Sequence, residues 1–122
     1  MSDEIINILP RARWEVKFSD QGSWRTGIYR PEFAGPGAVE TLEKHSCPEL
    51  FICAGGRMGM VLYDGARERV VELDPNEALL VEDYHNGFAV DERGFFIVVE
   101  RTSFTTEYID RHTKRFIRKV ET

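Results

Sequence analysis

The chain has 122 residues, of which 42% are hydrophobic and 11% aromatic, and this size and composition suit one domain with one core. Its formal net charge of −5 argues against a nucleic-acid partner, because polyanion binding draws its affinity from a basic surface. The apolar runs are far shorter than the roughly 20 residues that cross a bilayer, and the N-terminal sequence lacks a basic start followed by an apolar core. We therefore expect no membrane partner and a cytoplasmic location.

Most of the chain consists of short segments in which apolar and polar residues alternate with a period of two. This alternation is typical of strands with one buried face. The segments lie at 14–18, 23–30, 38–45, 49–54, 57–63, 68–73, 77–84 and 94–102. Turn-forming residues separate them, and the Asp64-Gly65 pair is a strong hairpin signal. Evenly spaced short strands of this kind predict an antiparallel sandwich or barrel over about residues 12–102.

The end of the chain shows a helical pattern instead. Thr105 can cap a helix, and Glu107 and Arg111 form a favourable pair four residues apart. Basic residues near its end would complement the helix dipole. We therefore predict a helix over about residues 105–118, in which His112 is a packed structural residue.

The segment 43–49, EKHSCPE, carries polar side chains at alternate positions: Glu43, His45, Cys47 and Glu49. On an extended strand these side chains point the same way, so they form either an inward-facing metal site or the wet face of an edge strand. Pro48 favours the edge, because proline removes a backbone donor from the ladder. Residue types alone leave both interpretations open.

The spacing around this segment resembles the first motif of the cupin superfamily (RmlC-like jelly roll). From Gly37 the chain has five residues, Glu43, one residue, His45, three residues, Glu49, six residues and Gly56. The cupin motif is a glycine, then His-x-His, a glutamate and a glycine at these intervals, so Glu43 stands where the first histidine usually is. The resemblance implies that these side chains point into a barrel.

The second cupin motif has a looser counterpart in residues 73–87. Pro75-Asn76 makes a turn, residues 77–81 form a strand, and His85 falls where the last ligand lies in the family. The proline and glycine that usually precede that histidine are replaced by residues 81–83. Together the two stretches extend the resemblance over residues 37–100.

The fold expected from the resemblance and the strand pattern is all-β. It is an antiparallel double-stranded β-helix, the cupin jelly-roll barrel, with one C-terminal helix, in a single domain of residues 1–122. Residues 49–73 and 95–111 are also similar in strand order to the WxcM-like sugar-nucleotide 3,4-ketoisomerases. Those enzymes act on dTDP-linked keto sugars, with barrel histidines as acid and base and without needing a metal.

Two chemistries are implied by the cupin resemblance. In the first, Glu43, His45, Glu49 and His85 hold a divalent Fe, Mn, Ni or Zn ion, which acts as a Lewis acid. In the second, His45 and His85 move a proton between adjacent carbons, oriented by a carboxylate such as Glu49 or Asp83. The catalytic candidates are thus His45, His85 and Asp83.

The expected function is binding of a polar small molecule in the barrel, with isomerisation or epimerisation of a sugar-like substrate. A non-catalytic metal- or ligand-binding cupin, acting as a sensor or accessory subunit, and an iron-dependent dioxygenase are the alternatives, because one fold hosts many functions. A homodimer is expected, since the apolar segment 5–9 has little else to cover it.

Overall fold

A computed structural model describes residues 3–122, which form eleven strands and one short 3₁₀ turn. The elements are β1 (Trp14–Asp20), β2 (Trp24–Tyr29), the 3₁₀ turn (Pro36–Ala38), β3 (Thr41–His45), β4 (Glu49–Ala54), β5 (Met58–Tyr63), β6 (Glu68–Leu73), β7 (Ala78–Val81), β8 (Tyr84–Ala89), β9 (Phe95–Arg101), β10 (Thr105–Asp110) and β11 (Phe116–Glu121). The expected all-β class is confirmed.

The strands form two sheets. The first has the order β1-β2-β9-β4-β7 and the second the order β11-β10-β3-β8-β5-β6, and the neighbouring strands pair antiparallel. β3 has a hydrogen-bonded neighbour on each side, β10 and β8. The segment that begins at Glu43 is therefore not an edge strand, and the interpretation of it as an exposed edge is wrong.

An apolar cluster joins the two sheets. Its buried members are Phe51, Cys53, Met58, Met60, Leu73, Val81, Phe96 and Val98. A second cluster packs on the opposite face of the six-stranded sheet, where Leu42 and Ile109 are buried with Val39 and Phe88. Since neighbouring side chains on a strand point to opposite faces, the burial of Leu42 in this outer cluster directs Glu43 to the inner face.

The predicted helix over residues 105–118 is wrong, because the segment forms β10 and β11. β10 pairs with β3 from Thr106 opposite His45 to Asp110 opposite Thr41. This pairing gives backbone N–H and C=O groups of β10 their hydrogen-bond partners, and Ile109 is buried. The helical pairs four residues apart contribute only a few tenths of a kcal/mol each, so the tertiary pairing outweighs them.

A tight turn joins β10 to β11. The Asp110 carboxylate accepts hydrogen bonds from the backbone N–H groups of His112 and Thr113, and Lys114 adopts the left-handed conformation with φ 61°. His112 is exposed in this turn, so the prediction that it packs within a helix is wrong as well.

The predicted strand over residues 77–84 divides into two. β7 ends at Val81 in the five-stranded sheet, and β8 begins at Tyr84 in the six-stranded sheet. The chain crosses between the sheets at Glu82 and Asp83, which places His85 on an inner strand of the second sheet. Within residues 3–122, the structure contains no helix of the length and apolarity needed to span a membrane.

Candidate metal centre

Four polar side chains come together between the two sheets. Glu43 and His45 lie two residues apart on β3, Glu49 is the first residue of β4, and His85 is the second residue of β8. Glu43 and His85 are direct partners across the β3–β8 ladder. Because β4 belongs to the other sheet, the cluster is built from both layers of the protein.

Ligand atoms of Glu43, His45 and His85 all lie within 4.8 Å of one another, close enough to share one ion, and Glu49 contacts both histidines. Glu49 Oε1 is 2.7 Å from His45 Nε2 and 3.0 Å from His85 Nε2. Glu43 Oε1 is 3.3 Å from His45 Nε2 and 3.9 Å from His85 Nε2. Two ligands bound to one ion at about 2.1 Å, with an angle near 90–110°, are about 3.0–3.4 Å apart. The observed separations are close to that range.

Each histidine is oriented through its other ring nitrogen. His85 Nδ1 lies 2.8 Å from the carbonyl oxygen of Asp83, and His45 Nδ1 lies 2.7 Å from Thr106 Oγ1. Because a carbonyl only accepts, His85 Nδ1 carries a proton, so it is Nε2 that faces the cluster and presents its lone pair whenever the ring is neutral. Metal-binding histidines are commonly held by such a contact on the far nitrogen.

Two of the clustered atoms are buried without a hydrogen bond. His85 Nε2 and Glu49 Oε1 are 3.0 Å apart, yet neither has an aligned hydrogen-bond partner within residues 3–122. Buried polar atoms in native proteins are otherwise almost always paired. A cation between them would satisfy both atoms, so the residues present fit a divalent metal ion.

The carboxylates and imidazoles of the cluster stabilise each other's charged forms. Burial opposes protonation of His45, but the adjacent Glu43 and Glu49 carboxylates outweigh it and raise the His45 pKa to about 10. The pKa of His85 is also raised, since Glu49 outweighs the effect of burial. Burial likewise opposes ionisation of Glu49, but the two histidines hold its pKa below the usual range. Without metal, the histidines therefore carry protons that a metal ion has to displace.

A partly buried ion pair between Arg25 and Glu100 lies beside the cluster, and no feature of the sequence predicted it. Arg25 Nε and Nη2 each lie 2.7 Å from Glu100 Oε2. The Arg25 guanidinium also lies near the Trp14 ring, at 5.7 Å, and the Phe104 ring, at 5.5 Å. Burial and the neighbouring Glu49 carboxylate raise the Glu100 pKa to about 7, against the effect of Arg25. Arg25 and Glu100 lie on different strands far apart in the sequence, so no local motif marks them.

Asp83 contributes through its backbone and not through its carboxylate. The side chain is exposed and lies 4.0 Å from Lys44 Nζ, outside the cluster. Its carbonyl oxygen is the acceptor that orients His85. The expectation that the Asp83 carboxylate faces the site with His85 is therefore not met.

The cluster lies in a cavity of about 400 Å³. Phe51 and Phe104 form apolar parts of its wall, and Phe104 stands edge-on to His45 with ring centroids 4.8 Å apart. Tyr29, Asn86 and other polar side chains also line the cavity. A partly apolar cavity with convergent polar groups is the usual form of a small-molecule site.

The sequence matches no protein-family model and no curated protein. Solved structures are similar. A cupin-2 domain containing protein from Shewanella frigidimarina aligns over 76% of this chain and 85% of its own, with TM-score 0.57 and 14% identity. HppE in its Co(II) form with substrate aligns over 80% of this chain and 57% of its own, with TM-score 0.60 and 15% identity. Fe(II)-HppE with an alternative substrate, (S)-1-HPP, aligns over 78% and 53%, with TM-score 0.53 and 14% identity.

The two antiparallel sheets and the histidine and glutamate cluster between them define a small all-β protein with an internal polar site. The similar structures show that its fold is the cupin fold, which confirms the fold indicated by the spacing from Gly37 to Gly56. The chain spans 57% and 53% of the two HppE chains.

Proposed function

We propose that this protein is a metal-binding cupin that takes a polar small molecule in the cavity beside the metal. Glu43, His45, Glu49 and His85 hold a divalent Fe, Mn, Ni or Zn ion. The observation that carries the proposal is the convergence of ligand atoms of Glu43, His45 and His85, which all lie within 4.8 Å of one another beside the buried Glu49 carboxylate. The HppE structures with Co(II) and Fe(II) support a metal in this fold.

We propose isomerisation or epimerisation of a sugar-like substrate as the reaction. A divalent ion supplies Lewis-acid polarisation of a carbonyl or hydroxy-keto group. Thr106 and the Asp83 carbonyl hold the imidazoles in the ligating orientation, and Phe51 and Phe104 exclude water from one side of the cavity. Asn86 is fixed as a polar wall residue, because it donates to the Thr41 carbonyl and accepts from the Tyr29 hydroxyl.

A metal-free isomerase is the second candidate, and it uses the same two nitrogen atoms differently. The Nε2 atom of each histidine can bind a metal ion or move a proton, but it cannot do both at once. The raised pKa values of His45 and His85 favour the protonated, acid-donating form when no metal is present. The resemblance to the WxcM-like ketoisomerases, which do not need a metal, is in line with this metal-free candidate. An iron-dependent dioxygenase and a non-catalytic binding protein share the metal-bound form of the site.

Metal analysis of the purified protein tests the proposal. We expect about one divalent ion per chain after incubation with Fe, Mn, Ni or Zn and removal of excess metal. His45→Ala and His85→Ala should each abolish uptake and keep the strand-rich circular dichroism spectrum. His112→Ala is the matched control, since His112 is exposed in the β10–β11 turn, and it should load like the wild type. An unloaded wild type, or full loading of both histidine variants, would overturn the proposal.

We also propose a homodimer in the cytoplasm. Ile5 and Leu9 are exposed in the segment that precedes β1, and so is Trp14 at the start of that edge strand. On the other sheet, Phe116 and Ile117 are exposed on edge strand β11. Apolar surface of this kind is commonly buried between subunits. A single monomeric species in sedimentation velocity at micromolar concentration would contradict the dimer.

A further inference from the structure

A second cavity adjoins the metal centre on the side of the β10–β11 hairpin. Its volume is about 430 Å³. The two cavities share the side chains of Arg13, Tyr29, Glu43, Asn86 and Tyr108. Because Glu43 belongs to both, the second cavity opens directly beside a proposed metal ligand.

Two guanidinium groups line this outer cavity from different sheets. Arg13 immediately precedes β1, the edge strand of the five-stranded sheet, and Arg118 lies on β11, the edge strand of the six-stranded sheet. Arg118 stacks on the Tyr108 ring at 4.5 Å. The two arginines therefore approach the ligand space from opposite layers of the protein.

Neither guanidinium is tied into a buried ion pair. Arg13 binds Glu32 at 2.6 Å, but both side chains are more than half exposed, and such surface pairs are weak and easily exchanged. Arg118 forms no ion pair with a carboxylate of residues 3–122, whereas Arg25 is held by buried Glu100. Arg13 and Arg118 are thus free to bind an anionic ligand.

From this arrangement we infer that the ligand is a small oxygenated anion. Its carboxylate or phosphate group binds Arg13 and Arg118 in the outer cavity, and its hydroxyl or carbonyl oxygens face the metal centre. Guanidinium groups recognise both anions through paired, charge-assisted hydrogen bonds. This inference rests on the proposed metal-binding function and adds the substrate class to it.

The test compares three hexoses that differ in charge: glucose, glucuronate and glucose 6-phosphate. Each is titrated calorimetrically into the Mn(II)-loaded protein, whose metal content is measured separately. We expect at least one of the two anions to bind about tenfold or more tightly than glucose and to weaken as salt is added. A preference for glucuronate identifies the carboxylate as the bound group, and a preference for glucose 6-phosphate identifies the phosphate.

Arginine variants locate the anion. Arg13→Gln and Arg118→Gln should each weaken binding of the preferred anion about tenfold and leave both glucose binding and Mn(II) content unchanged. Lys119→Gln is the matched control, because Lys119 is the next residue on β11 and does not line either cavity. Equal affinity for glucose and the anions, absence of anion binding, or full anion affinity in both arginine variants would overturn the inference while the metal site stands. A wild type that takes up no metal would overturn the proposed function, and this inference with it.

Discussion

Glu43 and His85 face each other directly across the ladder between β3 and β8, with Glu43 Oε1 3.9 Å from His85 Nε2. One residue belongs to the segment that resembles the first cupin motif and the other to the looser second one. Since side chains alternate along a strand, a register slip of one residue would turn His85 to the opposite face of the sheet. The centre therefore depends on the pairing of these two residues as well as on their chemical types.

The first prediction concerns Glu43, which occupies the position where the cupin motif usually has a histidine. Glu43→Ala should lower the affinity for divalent metal about tenfold or more, because the site loses one of four ligands and half of its anionic charge. Competition with a chromophoric chelator measures the change. Glu40→Ala, at an exposed residue just before β3, should leave affinity unchanged. Equal affinity of the two variants would remove Glu43 from the ligand set.

A second prediction concerns Thr106, which contacts His45 from β10. Thr106→Val keeps the buried side-chain shape and removes the hydroxyl partner of His45 Nδ1. Metal affinity should fall about 10- to 100-fold, as it does when the group orienting a metal-binding histidine is lost. The control is Thr105→Val, which changes the neighbouring residue on the opposite face of the strand. Unaltered metal affinity in Thr106→Val would show that the hydroxyl does not orient the ring.

The third prediction is a pH dependence of the metal-free protein. The folded-state pKa of His45 is about 10, above its ordinary value of 6.5, so between these values the folded chain binds more protons than the unfolded chain. The contribution of His45 to stability is therefore complete below pH 6.5 and is lost as pH rises toward 10. Urea unfolding of EDTA-treated protein should show this decline, and His45→Ala should flatten it. A rise in stability across the same window would contradict the assignment.

The fourth prediction concerns Arg111, which is buried beside the 3₁₀ turn. Its Nη1 donates to the carbonyl oxygens of Pro36 and Val39, at 2.9 Å for Val39, and its Nε donates to Glu68 at 2.9 Å. Arg111→Ala removes one hydrogen-bond partner from each of these acceptors and should destabilise the fold by about 2–4 kcal/mol in urea unfolding. Arg115→Ala, at an exposed position of the β10–β11 turn, should stay within about 0.5 kcal/mol of the wild type. Similar values for the two variants would refute a clamping role for Arg111.

The strands and the clustered residues were largely predictable from the sequence. Period-two alternation placed most strands within a few residues, because burial of one face leaves a direct mark on residue type. The resemblance to the first cupin motif identified Glu43, His45 and Glu49, and the looser second motif identified His85. The structure brings these four residues together. The spacing is informative because the short turn between β3 and β4 sets the number of residues that separate His45 from Glu49.

Features that depend on distant pairing were not predictable. The residues after Thr105 carry favourable helical pairs, and nothing local shows that β3 offers them an unpaired edge. Thr106 and Glu100 support the centre from strands far along the chain and have no motif of their own. Asp83 acts through its carbonyl oxygen, a group that every residue possesses and that residue type cannot reveal.

The position of β10 beside β3 has a consequence for synthesis of the protein. The proposed ligands have all been synthesised once His85 has been added, but His45 lacks its Thr106 partner until β10 follows. Pairings of such large sequence separation form slowly, since much chain must be ordered before the contact is gained. A metal ion that meets the nascent chain thus encounters ligands without their final orientation. Selective loading of the ion is therefore expected to follow chain release.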